Sequence, residues 1–253
     1  MFQEQVKITK NTPLNKEFSH LAFRSKKISK SISCGQFVFI RINNSNYPLL
    51  RRPFSVAWVL GGELNIVYKI VGEGTTLLSN KKEGDTIDVM GPLGNGFTFH
   101  EDKKIILVAG GIGIASLVSL MKMCVQKDVL LFYGARTKKE FISKDFLALN
   151  SKQINYVTED GSQGIKGLVT KPLEKYLKTI DSREAYIYTC GPLPMIKAVV
   201  KVANKYGFDG EANLEERMGC GVGACLGCAT ETVNGTKMVC KDGPVFKFGE
   251  LVL

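Results

Sequence analysis

The sequence predicts a mixed architecture, α/β plus all-β, in three parts: a six-stranded antiparallel barrel, a doubly wound parallel sheet and a small cysteine-rich C-terminal domain. Three observations carry this reading. In the first hundred residues, short runs rich in β-branched and aromatic residues recur between turn signals. After Phe97, apolar strands alternate with stretches of helical spacing, and repeated βα units of this length pack as a parallel sheet. Beyond Phe208, four of the seven cysteines fall between Cys220 and Cys240. The boundaries are placed at 1–98, 99–208 and 209–253.

The bulk properties limit the function classes. The start, MFQEQVKITKNTPL, has no apolar signal-peptide core, and no stretch reaches the ~18 apolar residues of a membrane span, so a cytoplasmic protein is expected. Seven cysteines, an odd number, make a poor disulfide framework. The net charge is +10, but the lysines are scattered in pairs such as Lys26-Lys27, Lys81-Lys82, Lys103-Lys104 and Lys138-Lys139. Without a basic helix, an aromatic platform or an arginine-rich arm, this reads as solvated lysines rather than a nucleic-acid surface. A basic surface still suits dinucleotides and an acidic protein partner.

The barrel strands are expected at Gln5 to Lys10, Phe18 to Arg24, Gln36 to Ile42, Pro53 to Leu60, Glu63 to Ile70 and Asp85 to Met90. Gly61-Gly62 joins the fourth and fifth as a tight hairpin. Six strands on short turns suggest a closed barrel. Two stretches in this half carry chemistry. Arg51-Arg52-Pro53-Phe54-Ser55 sets cations, a rigid turn, an aromatic plane and a hydroxyl side by side. A bound FAD would use each of these, although a proline-opened strand with solvated arginines would look the same. Val71-Gly72-Glu73-Gly74-Thr75-Thr76 leaves a strand, turns on glycines and starts a short helix, offering N–H groups and hydroxyls to a phosphate, or else a plain threonine cap.

Gly91 to Phe97, rich in glycine with one proline, marks the domain boundary. The second part is expected as strand Lys104 to Ala109, helix Ile114 to Val125, strand Val129 to Tyr133, helix Lys139 to Leu149, strand Ile154 to Thr158, helix Val169 to Lys178, strand Ala185 to Cys190 and helix Met195 to Tyr206. In such a sheet, ligands bind beyond the carboxyl ends of the strands. The first of these turns, Ala109-Gly110-Gly111-Ile112-Gly113-Ile114, lets a dinucleotide pyrophosphate approach a helix start, although it is not the G-x-G-x-x-G fingerprint. Cys190, at the same edge, is either a small polarizable contact for a nicotinamide ring or a buried core cysteine. Cys34 and Cys124 read as structural.

The cysteine run, Cys220-x4-Cys225-x2-Cys228-x11-Cys240, is close to the plant-type iron–sulfur spacing. Gly219, Gly221, Gly223 and Gly227 leave room for backbone N–H groups to approach bridging sulfides, which favours [2Fe-2S] over a zinc knuckle or disulfides. The tail after Cys240, KDGPVFKFGELVL, is apolar enough either to meet another subunit or to fold back as a hairpin.

In order, R-P-F-S, G-E-G-T-T, G-G-I-G-I-A and C-G-P-L-P-M resemble the ferredoxin-NADP+ reductase superfamily over about Gln5 to Phe208. With the cysteine segment, the whole chain is similar to the electron-transfer subunits of class 1B dihydroorotate dehydrogenases. The resemblance implies that Arg52 contacts the FAD pyrophosphate, that Phe54, beside Pro53, lies along the flavin, and that Ser55 bonds near N5. It places Lys69, Ile70 and Val71 along the isoalloxazine, Gly74, Thr75 and Thr76 at the phosphates, and NAD near Gly110, Gly111, Gly113 and Cys190. It assigns Cys220, Cys225, Cys228 and Cys240 to the cluster. One position departs from the pattern: the glycine turn usually ends in proline, and here it ends in Ser116. The implied partner is an FMN-bearing catalytic subunit, in a heterotetramer of two plus two, which oxidises dihydroorotate in pyrimidine biosynthesis. Electrons would pass from it through the cluster and FAD to NAD+. Such a chain has no catalytic acid or base of its own, because only a flavin exchanges both single electrons and hydride. Two other readings stand: the small subunit of an NADPH-dependent ferredoxin or sulfide-type oxidoreductase, and a zinc-stabilised nucleotide-binding module without redox turnover.

Overall fold

A computed structural model describes residues 1–43, 47–124, 129–147 and 153–252. The first part holds β1 (Phe2–Pro13), β2 (Phe18–Arg24), α1 (Ile28–Ser31), β3 (Phe37–Arg41), β4 (Arg52–Ser55), β5 (Trp58–Leu60), β6 (Glu63–Lys69), α2 (Glu73–Ser79) and β7 (Thr86–Leu93). Its antiparallel sheet runs β4-β3-β7-β1-β2-β6-β5. The expected strand Pro53 to Leu60 is broken at Val56-Ala57. Its first half pairs with β3 and its second with β6, so one bent segment lies at both edges and curls the sheet into a barrel. At the break, Val56 turns into the barrel core, and the adjacent Ala57 turns into the core shared with the next domain. Adjacent side chains of an extended chain point to opposite faces, so these two residues tie the bend to both cores. Gly61 and Gly62 both take positive φ, 57° and 80°, as the tight hairpin requires.

The second part holds β8 (Lys104–Gly110), α3 (Ile114–Met123), β9 (Val129–Ala135), β10 (Ile154–Thr158), β11 (Ile165–Lys166), α4 (Thr170–Leu177), β12 (Ala185–Cys190), α5 (Leu193–Lys205) and β13 (Gly210–Asn213). The hairpin β14 (Ala229–Thr232) and β15 (Gly235–Met238) follows, then β16 (Val245–Lys247). The sheet order is β11-β10-β9-β8-β12-β13-β16, parallel except for β16. The chain moves outward from β8 in both directions, so the switch point lies at the carboxyl end of β8, in the glycine turn.

Three expectations are corrected. The helix expected from Lys139 is absent up to residue 147; two 3-10 turns, Lys138–Glu140 and Lys144–Phe146, stand there instead. Phe141, Ile142 and Leu147 are all buried, at spacings that no single helical stripe provides. The remainder of that segment, 148–149, and residue 125 of the preceding helix lie outside the described residues. Second, the sheet is not complete at Tyr206, because β13 and β16 both extend it beyond the boundary placed at 208. β13 went unseen because GEAN is too short and too polar to read as a strand. Third, the tail is not a separate hairpin, and its phenylalanines are not free for a partner: β16 pairs with β13, and Phe246 and Phe248 are buried in the core of the α/β domain.

The two domains share one core, in which Phe18, Ala57, Val67 and Phe97 pack with residues of β8 and α3. The linker is pinned as well: Thr98 N donates to the buried Glu211 carboxylate at 2.9 Å, and Tyr188 donates its hydroxyl proton to the Thr98 carbonyl at 2.7 Å. Among the described residues, no helix is long and apolar enough to cross a membrane.

Candidate functional site

The cysteine loop is folded around its sulfurs. Cys220 Sγ accepts the backbone N–H groups of Val222, Ala224 and Cys225 at 3.3–3.4 Å. Cys240 Sγ accepts Gly223 N–H at 3.1 Å, and Cys228 Sγ accepts Cys240 N–H at 3.4 Å. Burial acts to raise the Cys220 thiol pKa, yet these donors bring it down to about 6. Burial beside Cys228 pushes Cys240 up to about 12. The sulfurs pair, Cys220 with Cys225 and Cys228 with Cys240, and among the described residues no group of three or more is gathered around one metal position. N–H-solvated sulfurs in two pairs fit two tetrahedral irons bridged by sulfide. Two of the four glycines are required by the backbone. Gly221 and Gly223 have φ of 74° and 79°, and a Cβ would meet the Phe39 ring at 2.9 Å and the Lys241 side chain at 2.8 Å. Leu226 takes φ of 57° without being glycine, a strain of about 1 kcal/mol held inside the C-x2-C turn.

Beside this loop lies a cavity of ≈ 330 Å³ between the barrel and the α/β domain. Pro53, Phe54, Ser55, Lys69, Val71 and Thr75 line it. Arg52 and Gly74 sit together at its α2 end, where a Cβ at Gly74 would lie 2.7 Å from Arg52 Nε. Thr75 Oγ1 accepts the N–H groups of Val71 and Gly72, which fixes this turn, and Thr76 Oγ1 donates to the Gly72 carbonyl. Ile70 faces away and packs on the barrel core. Arg51 is turned to the outer face, paired with Asp88 at 2.7 Å. An apolar slot with a guanidinium and a glycine turn at one end fits a flavin with a pyrophosphate tail. Sequence reasoning missed the far wall, Asn213 to Glu216 and Met218, because these residues come from the unforeseen β13 and the segment that follows it.

A second cavity, ≈ 490 Å³, opens at the switch point and is lined by Gly110, Gly111, Ile112 and Gly113, with Arg136, Glu140 and Glu159 opposite. Gly113 has no room for a side chain: a Cβ would stand 2.5 Å from the Cys190 carbonyl. Ser116, in the place of the usual proline, donates its hydroxyl to the Gly113 carbonyl at 3.0 Å and so closes the turn by a hydrogen bond. Cys190 is fully buried behind the turn and lines neither cavity. Its thiol lies 3.9 Å from Glu215 Oε1, and burial holds it well above the ordinary thiol range. Glu215 is exposed to the cavity, and the density of protein around it acts to raise its carboxyl pKa. Lys69, Ile112 and Glu215 line both cavities, so the two meet at these three residues. Lys69 is held there by Glu17 at 2.8 Å and Glu140 at 3.5 Å, and its ammonium pKa is raised.

A barrel with a flavin-shaped slot, a parallel sheet with a dinucleotide cleft and a loop of four cysteines define an iron–sulfur flavoprotein reductase. Comparison with known proteins agrees. Residues 215–252 match the iron–sulfur cluster binding domain of dihydroorotate dehydrogenase B, and residues 107–201 match the oxidoreductase NAD-binding domain. The chain is 39% identical over the full length of both chains to the electron transfer subunit of dihydroorotate dehydrogenase B (NAD(+)) from Geobacillus sp. (strain WCH70). It is 36% identical to that of Fusobacterium nucleatum, over 96% of each chain. Among solved structures, a NADH-dependent reduced ferredoxin-NADP oxidoreductase matches at 32% identity and a TM-score of 0.84, covering 98% of this chain and 89% of that one. A ferredoxin NADP+ reductase from Neisseria gonorrhoeae, at 19% identity and a TM-score of 0.70 over 81% and 92% of the two chains, shares the fold. The chain belongs to the family of dihydroorotate dehydrogenase B electron transfer subunits.

Proposed function

We propose that this chain carries electrons between an FMN-bearing catalytic subunit, which oxidises dihydroorotate, and NAD+ in the cytoplasm, within a heterotetramer of two chains of each kind. Cys220, Cys225, Cys228 and Cys240 hold a [2Fe-2S] cluster, with Val222, Gly223, Ala224 and Cys225 bringing N–H groups to the sulfurs. Arg52, Gly74, Thr75 and Thr76 hold the FAD pyrophosphate, and Pro53, Phe54, Ser55, Lys69 and Val71 seat the ring. Gly110, Gly111 and Gly113 receive the NAD pyrophosphate, and Cys190 backs the turn from behind rather than touching the ligand. When bound, the flavin supplies the exchange between single electrons and hydride that neither the cluster nor the nicotinamide makes alone. The protein's own part is to hold the three in series, with the two cavities meeting at Lys69, Ile112 and Glu215.

One observation carries this reading: the three sites are contiguous. Phe37 lines the flavin cavity and packs on Phe39 at 5.7 Å, and Phe39 abuts Gly221 of the cysteine loop. Met218, two residues before Cys220, lines the same cavity, which opens on the dinucleotide cleft at its other side. The purified chain is expected to be brown, with several bands between about 400 and 600 nm and iron to FAD near two to one. A colourless chain containing zinc would contradict the reading.

A further inference from the structure

The glycine turn of the dinucleotide cleft is held from beneath by a side chain outside every motif considered above. Tyr133, on β9, is fully buried, and its hydroxyl makes two bonds. It donates to the Gly111 carbonyl at 3.1 Å and accepts the Ile142 N–H at 3.4 Å. We infer that Tyr133 is a positioning residue for the dinucleotide, setting the Gly111–Ile112 peptide so that it presents its N–H to the cleft.

This role for Tyr133 follows from peptide geometry and rests on the cleft being the dinucleotide site. In a trans peptide the C=O and the following N–H point in opposite directions. Drawing the Gly111 carbonyl down to Tyr133 therefore turns the Ile112 N–H upward, toward the space lined by Gly111, Ile112 and Gly113. Gly111 has φ of 52° and nothing within 4 Å of the place where a Cβ would be, so packing around that atom does not fix this peptide. The Gly111 carbonyl also accepts the Ile114 N–H within the 3-10 turn, and the tyrosine hydroxyl is the second donor, from outside the turn, that holds this peptide against glycine's freedom to reorient. The Ile142 bond adds a second constraint. It ties the turn to the segment just after Glu140, whose carboxylate accepts the Arg136 guanidinium at 2.8 Å on the opposite rim. One hydroxyl thus fixes the spacing between the two walls of the cleft. Its ring is independently packed, against Phe141 at 4.6 Å and Tyr156 at 6.1 Å, so removing the oxygen alone leaves the core filled.

The test is Tyr133→Phe in the holo-chain, with ADP-ribose as the binding probe and NADH with an artificial electron acceptor for turnover. The expected result is about tenfold weaker ADP-ribose binding and a similar rise in KM for NADH, the size of one lost buried hydrogen bond. The kcat is expected to stay within about twofold and the FAD and iron contents to stay unchanged, a split that simple loss of stability would not produce. ADP-ribose affinity and KM within about twofold of wild type would overturn the inference, whatever happens to Tm. Failure of the wild-type chain to bind ADP-ribose would instead overturn the assignment of the cleft, and the inference with it.

Discussion

Cys225→Ser is expected to remove most of the bound iron while leaving FAD in place. Cys225 belongs to the C-x2-C turn with Cys228, and its N–H supports Cys220 Sγ, so the substitution takes away one of two paired ligands. A serine hydroxyl is a harder and far less acidic donor than a thiol, and a cluster built on four thiolates does not tolerate the loss easily. The flavin cavity takes Ser55, Lys69 and Thr75 from β4, β6 and α2 and Asn213, Glu215 and Glu216 on its far wall, and Cys225 does not line it. Iron and flavin analysis of the purified variant decides the matter, and unchanged iron would sink the assignment of the loop.

Phe246→Asp is expected to act on the fold itself. Phe246 is 3% exposed, stands opposite Ala212 in the β13–β16 register, and fits so closely that a Cβ on Gly243 would lie 2.3 Å from its ring. An aspartate there would leave an unpaired carboxylate in an apolar core and a void where the ring was. Such a change costs on the order of 4 kcal/mol or more, against a total stability of about 5–15 kcal/mol. Melting of the holo-chain is expected to fall by roughly 8–16 °C. A variant that melts with the wild type would show that β16 is not part of the core. The apolar groups that the cysteine loop does present are Val222 and Leu226, beside the exposed Cys225.

Much of this was legible in the sequence because the signals were local. Phe18–Arg24 and Ile154–Thr158 match their expected bounds, since β-branched residues between turn signals set strand ends without help from distant parts of the chain. The glycine turn after β8 and the spacing of the four cysteines were equally plain. What the sequence concealed depended on long-range pairing. The strand GEAN gains its identity only from β12 on one side and β16 on the other. The apolar residues of the tail could be read as a partner contact or as a folded-back hairpin because the sheet edge they cover leaves no mark in the local sequence. Glu215 and Met218 escaped notice because they reach the cavity from the segment that joins that strand to the cysteine loop. Tyr133 looked like an ordinary strand aromatic, since a hydroxyl aimed at a carbonyl in another turn leaves no trace in the local pattern.

The most direct measurement is dihydroorotate:NAD+ turnover by the holo-chain, first alone and then with the FMN-bearing catalytic subunit. Alone, the chain is expected to pass electrons from NADH to an artificial one-electron acceptor and to leave dihydroorotate untouched. Adding the catalytic subunit is expected to start dihydroorotate-dependent NADH formation. Dihydroorotate oxidation by the chain alone, or a mixture that assembles and still forms no NADH, would contradict the division of labour proposed for this subunit.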